Sequence, residues 1–424
     1  MLSYLISQAT IFDKQSPYHL QKMDIWIENG TIKAIANSIP NLPANTKIIQ
    51  GKELGVSIGW IDMRANFKEP GFEHQETLQT GRKVAMYGGF TDVVLLPNTQ
   101  PVIQTKNDLA FILHTNRNNL VQLHPIAALT FNTQGKEMTE WLDLHTHGAI
   151  AFSDGEIPLN NSDILLKALQ YLQQFDGLLI NRAEDKMLTQ HAQMHEGIVS
   201  TRLGLKGMPA FAEEIMVRQH LDFLRFAGGK LHLSLISTKK AVSLIRQAKA
   251  EGLKVTCDVA IHNLIFEDKT VENFDTNFKV NPPFRTAEHI EALWQGLADG
   301  TIDAIVSDHN PQDTEAKCLE FDLAAFGVIG LQTLFPALIT YNKQVDISVL
   351  LEKITYQPRK ILNLPIPVIN LNQNACIIVF DLNHPWKFDL QNNVSLSQNS
   401  PFLGHYFLAK PLAVFNNQKV FEIE

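Results

Sequence analysis

The chain has 424 residues, 45% hydrophobic and 19% charged, with a formal net charge of -8. That is the composition of an ordinary folded chain, and its negative balance argues against a general nucleic-acid or acidic-membrane surface. The three cysteines, Cys257, Cys318 and Cys376, are odd in number and widely spaced, which argues against a disulfide framework and for a reducing compartment.

No apolar run approaches the ~20 residues that span a bilayer. Met1-Leu2-Ser3-Tyr4 lacks the basic-then-apolar pattern of a signal peptide. The expected location is the cytoplasm.

Residues 1–55 read as short strands, among them Tyr4-Leu5-Ile6, Asp24-Ile25-Trp26-Ile27 and Ile32-Lys33-Ala34-Ile35-Ala36. Glu28-Asn29-Gly30-Thr31 supplies a hairpin turn. Such a start cannot bury a core alone. From residue 56 short apolar strands alternate with helices. Eight strands are expected: Val56 to Met63, Phe90 to Asn98, Val121 to Leu129, Gly148 to Asp154, Gly177 to Glu184, Lys230 to Ser237, Lys254 to His262 and Asp303 to His309. Helices are expected over Ser162 to Phe175, Thr238 to Glu251 and Ala287 to Asp299. Eight alternations over roughly 250 residues are the arithmetic of a (β/α)₈ barrel; an open doubly wound sheet fits eight strands less well. After residue 366 short strands return at Ala375 to Phe380, Leu412 to Phe415 and Val420 to Ile423. Three units are therefore expected. Residues 1–55 and 367–424 form one small β-sandwich, and residues 56–366 form the barrel.

In such a barrel, chemistry sits at the C-terminal strand ends. The first strand ends in a polar cluster and a Pro-Gly break, Asp62-Met63-Arg64-Ala65-Asn66-Phe67-Lys68-Glu69-Pro70-Gly71. Others end Pro97-Asn98-Thr99-Gln100-Pro101, Ser153-Asp154-Gly155, Asn181-Arg182-Ala183-Glu184-Asp185, Leu235-Ile236-Ser237-Thr238 and Asp308-His309-Asn310-Pro311-Gln312. Two loops read Asn281-Pro282-Pro283-Phe284-Arg285 and Phe326-Gly327-Val328-Ile329-Gly330.

In this order, these motifs resemble those of the dihydroorotases, zinc-dependent cyclic-amide hydrolases of the amidohydrolase superfamily, over nearly the whole chain. The resemblance implies the barrel with its split β-sandwich, a place in pyrimidine synthesis, and often a homodimer. It assigns metal ligands to the positions of Arg64, Asn66, Gly155, Arg182, Leu235 and Asp308. A one-residue slip would put Asp154 in the place of Gly155; otherwise Asp154 is a turn cap. The resemblance assigns substrate contacts to Lys68, Asn98, Asn281, His309 and Gln312.

Of the six ligand positions only Asp308, which is also the general base, keeps a donor suited to zinc. Arginine stays protonated and has no lone pair to give, leucine has no donor, and glycine has no side chain. No metal is expected, and the chain is expected to be catalytically silent. It would act as a structural or regulatory partner, with aspartate carbamoyltransferase as the family's candidate, or hold a small anionic metabolite in a basic mouth. The alternative is an active enzyme interconverting carbamoyl aspartate and dihydroorotate, with zinc in an altered site. Arg64, Arg182 or both are expected to pair with Asp308, because a buried carboxylate needs a counter-charge.

Three further histidine groups invite metal readings. His145-Thr146-His147 precedes the fourth strand and reads as surface. His191 and His195 read as a surface helix. His262 reads as a packing or capping group at a strand end.

Overall fold

The computed structural model describes residues 2–423. The barrel strands follow one another in parallel: Trp60–Ala65, Phe90–Leu95 and Gln122–Pro125, then Leu179–Arg182, Leu231–Ser234, Val255–Ala260 and Ala304–Val306. The fourth place, expected as a strand over Gly148 to Asp154, is filled by a single bridging residue. Phe152 pairs with Ala127 on one side and Leu179 on the other. Its neighbour Ser153 donates to the Ala127 carbonyl at 3.1 Å. The ring closes where Ala65 pairs with His309 and the Asn66 amide donates to the His309 carbonyl at 2.8 Å.

Helices cover the barrel much as the 3.6-residue pattern predicts. Ser162–Tyr171 starts at an Asn161 cap, Lys239–Ala250 at a Thr238 cap, and Ala287–Ala298 follows Thr286. The barrel interior is apolar, with Ile61, Met63, Val94, Ile180, Ala260 and Val306 in one cluster. Among the described residues no helix is long and apolar enough to cross a membrane.

The two chain ends meet in one eight-stranded sheet. Ile377–Asp381 pairs with Leu54–Ile58 and with Lys410–Asn416, and Ser3–Phe12 joins Leu54–Ile58 to the Lys22–Glu28 and Thr31–Ala36 strands. Ser3–Phe12 has an irregular register between Ile6 and Ala9, with Gln8 at φ +52°. Before that bend it pairs with Lys47–Ile49, and after it with Leu54–Ile58.

Two expectations need correction. The run Val56 to Met63 is two strands: Leu54–Ile58 lies in the end sheet and Trp60–Ala65 in the barrel. Gly59 separates them because a Cβ there would meet the Thr91 hydroxyl at 2.2 Å. Trp60 then seals the junction, its ring 4.4 Å from Phe335 and 5.8 Å from Phe380. Nor does the whole of 367–424 stay in the end sheet. Around the Trp386–Lys387 and Tyr406–Phe407 hairpin the chain returns to the barrel, burying Phe388, Phe402 and Phe407 in its core. There the Ser397 hydroxyl donates to the Gln75 carbonyl at 2.9 Å. The Asn399 amide donates to the Asn310 and Gly327 carbonyls at 3.1 and 3.0 Å. This segment therefore clamps the loops that follow the first and eighth strands.

Candidate functional site

The mouth is set by one buried carboxylate. Asp62 accepts from the Ser307 amide at 3.0 Å and from the Ser307 hydroxyl, tying the first strand to the eighth. Arg64 lies two residues on, on the same face of its strand. Its Nε donates to Asp308 Oδ1 at 2.8 Å, and both residues are buried. The expected pairing is therefore made by Arg64. Arg182 instead meets Glu184 at 2.8 Å and donates to the Asn281 carbonyl at 3.3 Å.

Burial pushes the Asp308 carboxyl up to about 6, because the Arg64 bond offsets only part of the desolvation and Glu156 adds repulsion. His262 Nε2 stands 4.0 Å from the other Asp308 oxygen. Burial pushes that imidazole down to about 3, so it is neutral at pH 7 and adds no counter-charge. Among the described residues neither of its ring nitrogens has a hydrogen-bond partner.

The rest of the mouth is likewise cross-linked by polar groups. Asn66 donates to Glu156 at 3.2 Å and accepts from the Lys68 amide at 3.0 Å. Burial alone would raise the Glu156 carboxyl; Lys68, Arg64 and Arg182 outweigh it and hold it low. Burial in turn lowers the Lys68 ammonium despite the pull of Glu156 and Asp308. Glu184 accepts from Thr189 at 2.6 Å and from Asn281 at 3.1 Å. Three cations, Arg64, Lys68 and Arg182, thus share the mouth with three carboxylates, Glu156, Glu184 and Asp308.

Zinc, which the resemblance implies, is not suited by these residues. Guanidinium groups stand among the carboxylates and have no lone pair to donate. Leu235 is buried in the apolar barrel interior, its amide donating to Asp258 at 2.6 Å. Gly155 sits at φ +64°, where a Cβ would fall 1.9 Å from Asn98 Oδ1, so the position has no room for a carboxylate side chain. Among the described residues no three His, Cys, Asp or Glu side chains converge on a common point. The space beside Arg182, Leu235 and Asn281 is ≈ 10 Å³, about the lower limit for one water.

The residues assigned to substrate are dispersed. Lys68 and Asn281 lie in the mouth network. Asn98 donates to the Asp154 carbonyl at 3.1 Å and accepts from the Glu156 amide at 2.8 Å, so its amide holds the fourth loop in place. His309 is buried against Phe67, and its Nδ1 accepts from the Gly330 amide at 3.2 Å. Gln312 bonds Asn310 at 3.0 Å and lines a separate cleft of ≈ 200 Å³ with Asn277 and Lys317. The Gln312 backbone amide donates to Asn399 Oδ1 at 3.1 Å, and Asn399 in turn bonds the Asn310 and Gly327 carbonyls beside His309.

Asp154 caps a turn, accepting from the Thr130 amide and hydroxyl at 2.8 and 2.6 Å. His145 and His147 are exposed, on and just after the short Trp141–Thr146 helix. His195 corrects the expectation of a surface helix. It is buried on the strand Met194–His195, accepts from Arg285 at 2.9 Å, and is pushed down to about 3 by burial and by that guanidinium. Sequence reasoning missed Glu156. Its one signal was an acid directly after the Ser153-Asp154-Gly155 turn, at a mouth already holding three cations.

A family model described as dihydro-orotase-like matches residues 55–241. The chain is 38% identical over 386 residues to a dihydroorotase of Syntrophus aciditrophicus, covering 90% of this chain and 91% of that one. It is 36% identical over 422 residues to a dihydroorotase of Pelotomaculum thermopropionicum, covering 99% and 98%. Among solved structures it resembles the L-hydantoinase of Arthrobacter aurescens, with a TM-score of 0.84 at 21% identity over 99% of this chain and 96% of that one. At that identity the likeness shows the shared fold.

Proposed function

The chain belongs to the dihydroorotase family, and from that premise we propose that it is a catalytically silent member. It has exchanged metal-dependent hydrolysis for an ion-paired barrel mouth. One observation carries this reading: Arg64 Nε donates to Asp308 at 2.8 Å. The one carboxylate kept from the ligand set is thereby engaged by a side chain that occupies another ligand's position. Hydrolysis of a cyclic amide needs an activated water and a group to polarise the carbonyl. Arg64 supplies neither a lone pair for a metal nor a base, and Asp308 alone is a weak base without a nucleophile to activate. The chain would then serve pyrimidine synthesis by its surface, as a structural or regulatory partner, with aspartate carbamoyltransferase as the candidate.

A second reading has its own support. The relatives above are named dihydroorotase, and a carboxyl near pH 6 lies in the useful range for a general base. On this reading the chain turns over dihydroorotate with an altered site.

The deciding experiment measures bound metal after dialysis against zinc, together with dihydroorotate hydrolysis. Well under one ion per chain and no turnover above buffer are expected. One or two tightly held ions with hydrolysis would sink the silent reading and leave the active one. Co-purification with aspartate carbamoyltransferase then tests the partner.

A further inference from the structure

The loops after the seventh and eighth strands meet the returning C-terminal segment at a cleft of ≈ 200 Å³. Asn277 lines it from the first loop, Thr314 and Lys317 from the second, and Leu390, Gln398 and Leu403 from the segment. None of Arg64, Lys68, Asn98 and Asn281 is on its wall, so it is separate from the barrel mouth. Lys317 is 6% exposed. Its Nζ donates to the Thr276 and Ala325 carbonyls at 2.9 and 2.8 Å. An ammonium has three N–H groups, so one is left over. Its neighbour Lys279, also buried, donates to the Phe321 and Asp322 carbonyls at 2.6 and 3.1 Å. Among the described residues neither lysine forms a salt bridge. Burial and repulsion from Lys279 push the Lys317 ammonium down to about 7, while Asp275 pulls the other way. Burial likewise brings Lys279 down to about 8 against the pull of Asp322. A buried cation without a counter-ion is costly, and two side by side are more so.

The rest of the wall supplies uncommitted donors. Among the described residues the side chains of Asn277, Thr314 and Gln398 make no hydrogen bond. Asp313, the one carboxylate on the wall among the described residues, is already held by the Ala316 amide at 2.7 Å and by Gln75 and His74 at 3.1 and 3.2 Å. Leu390 and Leu403 give the cleft an apolar side. A cation here would face two ammonium groups, and a neutral ligand would leave them uncompensated. An anion offsets them. A phosphate monoester brings more charge than a carboxylate and a third acceptor oxygen, which suits two cations and several free donors. We propose that this cleft binds the phosphate group of a small monoester, whose body lies against Leu390 and Leu403. The proposal is independent of whether the barrel mouth is silent.

The test titrates the full chain with phenyl phosphate, inorganic phosphate and benzoate by calorimetry at constant ionic strength. Phenyl phosphate should bind with a Kd of ~1 mM or below, and benzoate at least ~10-fold more weakly. Lys317→Met should weaken phenyl phosphate at least ~10-fold, and so should Thr314→Val combined with Gln398→Leu. The second variant alters only side chains without hydrogen bonds, so it decides the matter should Lys317→Met fail to fold. The place of binding is read at Cys318, the exposed thiol on the cleft wall. Saturating phenyl phosphate should slow its alkylation by iodoacetamide. Inorganic phosphate binding as tightly as the ester identifies the free ion as the occupant and overturns the ester. Benzoate binding as tightly overturns the phosphate. No binding of phenyl phosphate at about 10 mM overturns the site itself. So does binding that the variants leave unchanged, or that leaves Cys318 as reactive as before.

Discussion

Arg359 meets Asp92 at 2.5 Å at the N-terminal end of the barrel, and Arg64 meets Asp308 at 2.8 Å at the mouth. Both pairs are buried. Asp92 also accepts from Thr91 at 2.7 Å and bonds His124 at 2.8 Å. Burial by itself would raise its carboxyl, but Arg359 and His124 outweigh that and hold it well below the usual range. Asp308 has the one close bond, and burial wins, taking it to about 6. The lesson is that charge beside the carboxylate decides. Asp92 has both Arg359 and His124 against it, and Asp308 has Arg64 as its one close cation. Asp62, bonded by the Ser307 amide and hydroxyl, is pushed by burial up to about 7. The pair at the N-terminal end is built as structure. The pair at the mouth joins two positions to which the resemblance assigns metal ligands, and it compensates Asp308 from one direction only.

The largest effects should separate the two ends. Arg359→Met should cost about 3–5 kcal/mol in urea unfolding, since it strands a fully bonded carboxylate. Arg64→Met should cost less, about 2–3 kcal/mol at pH 8, and less still at pH 5, where Asp308 takes up a proton. Equal costs with no pH dependence at Arg64 would break the comparison.

Asp308→Asn sharpens it next. The Asp308 carboxyl titrates at about 6 in the fold against an ordinary value of 3.8. Between those values the fold holds the proton and the unfolded chain does not. This group therefore favours folding at the low end of the window and loses that contribution as pH rises through 6. The stability of Asp308→Asn relative to the native chain should rise by up to about 3 kcal/mol from pH 4 to pH 7. A flat difference would mean that Asp308 ionises as an exposed carboxyl does.

The smallest effect belongs to the fourth loop. Gly155→Ala should cost about 1–2 kcal/mol, from positive φ and from displacing the Asn98 amide. A stability equal to the native chain, read by thermal melting, would show that this corner of the mouth has slack.

Much of this was legible in the chain alone. The strand and helix periods gave the barrel, and the expected helix starts at Thr238 and Ala287 fall within a residue of those observed. The substitutions at Arg64, Arg182 and Leu235 announced a changed mouth because their chemistry excludes metal ligation wherever they point. Legibility ended where contacts cross the fold. Nothing local says that Arg182 turns to Glu184, that Glu156 comes to meet Lys68, or that His195 is buried on Arg285. Glu156 and Lys68, and likewise His195 and Arg285, lie on different segments that closure of the barrel brings together. Glu184 is only two residues from Arg182, and what the sequence left open there is which way the guanidinium turns.

The amino-acid sequence by itself therefore determined the architecture, which follows from periodicity, and the side chains that stand at the strand ends, whose chemistry raised the expectation of a changed ligand set. Tertiary structure decided everything that depends on geometry. It split Val56 to Met63 between two sheets at Gly59. It sent the chain around Trp386 to Phe407 back over the loops of the mouth. It gave Asp308 a single close cation, and a buried carboxylate's proton affinity is set by its burial and by which charges and donors reach it in three dimensions.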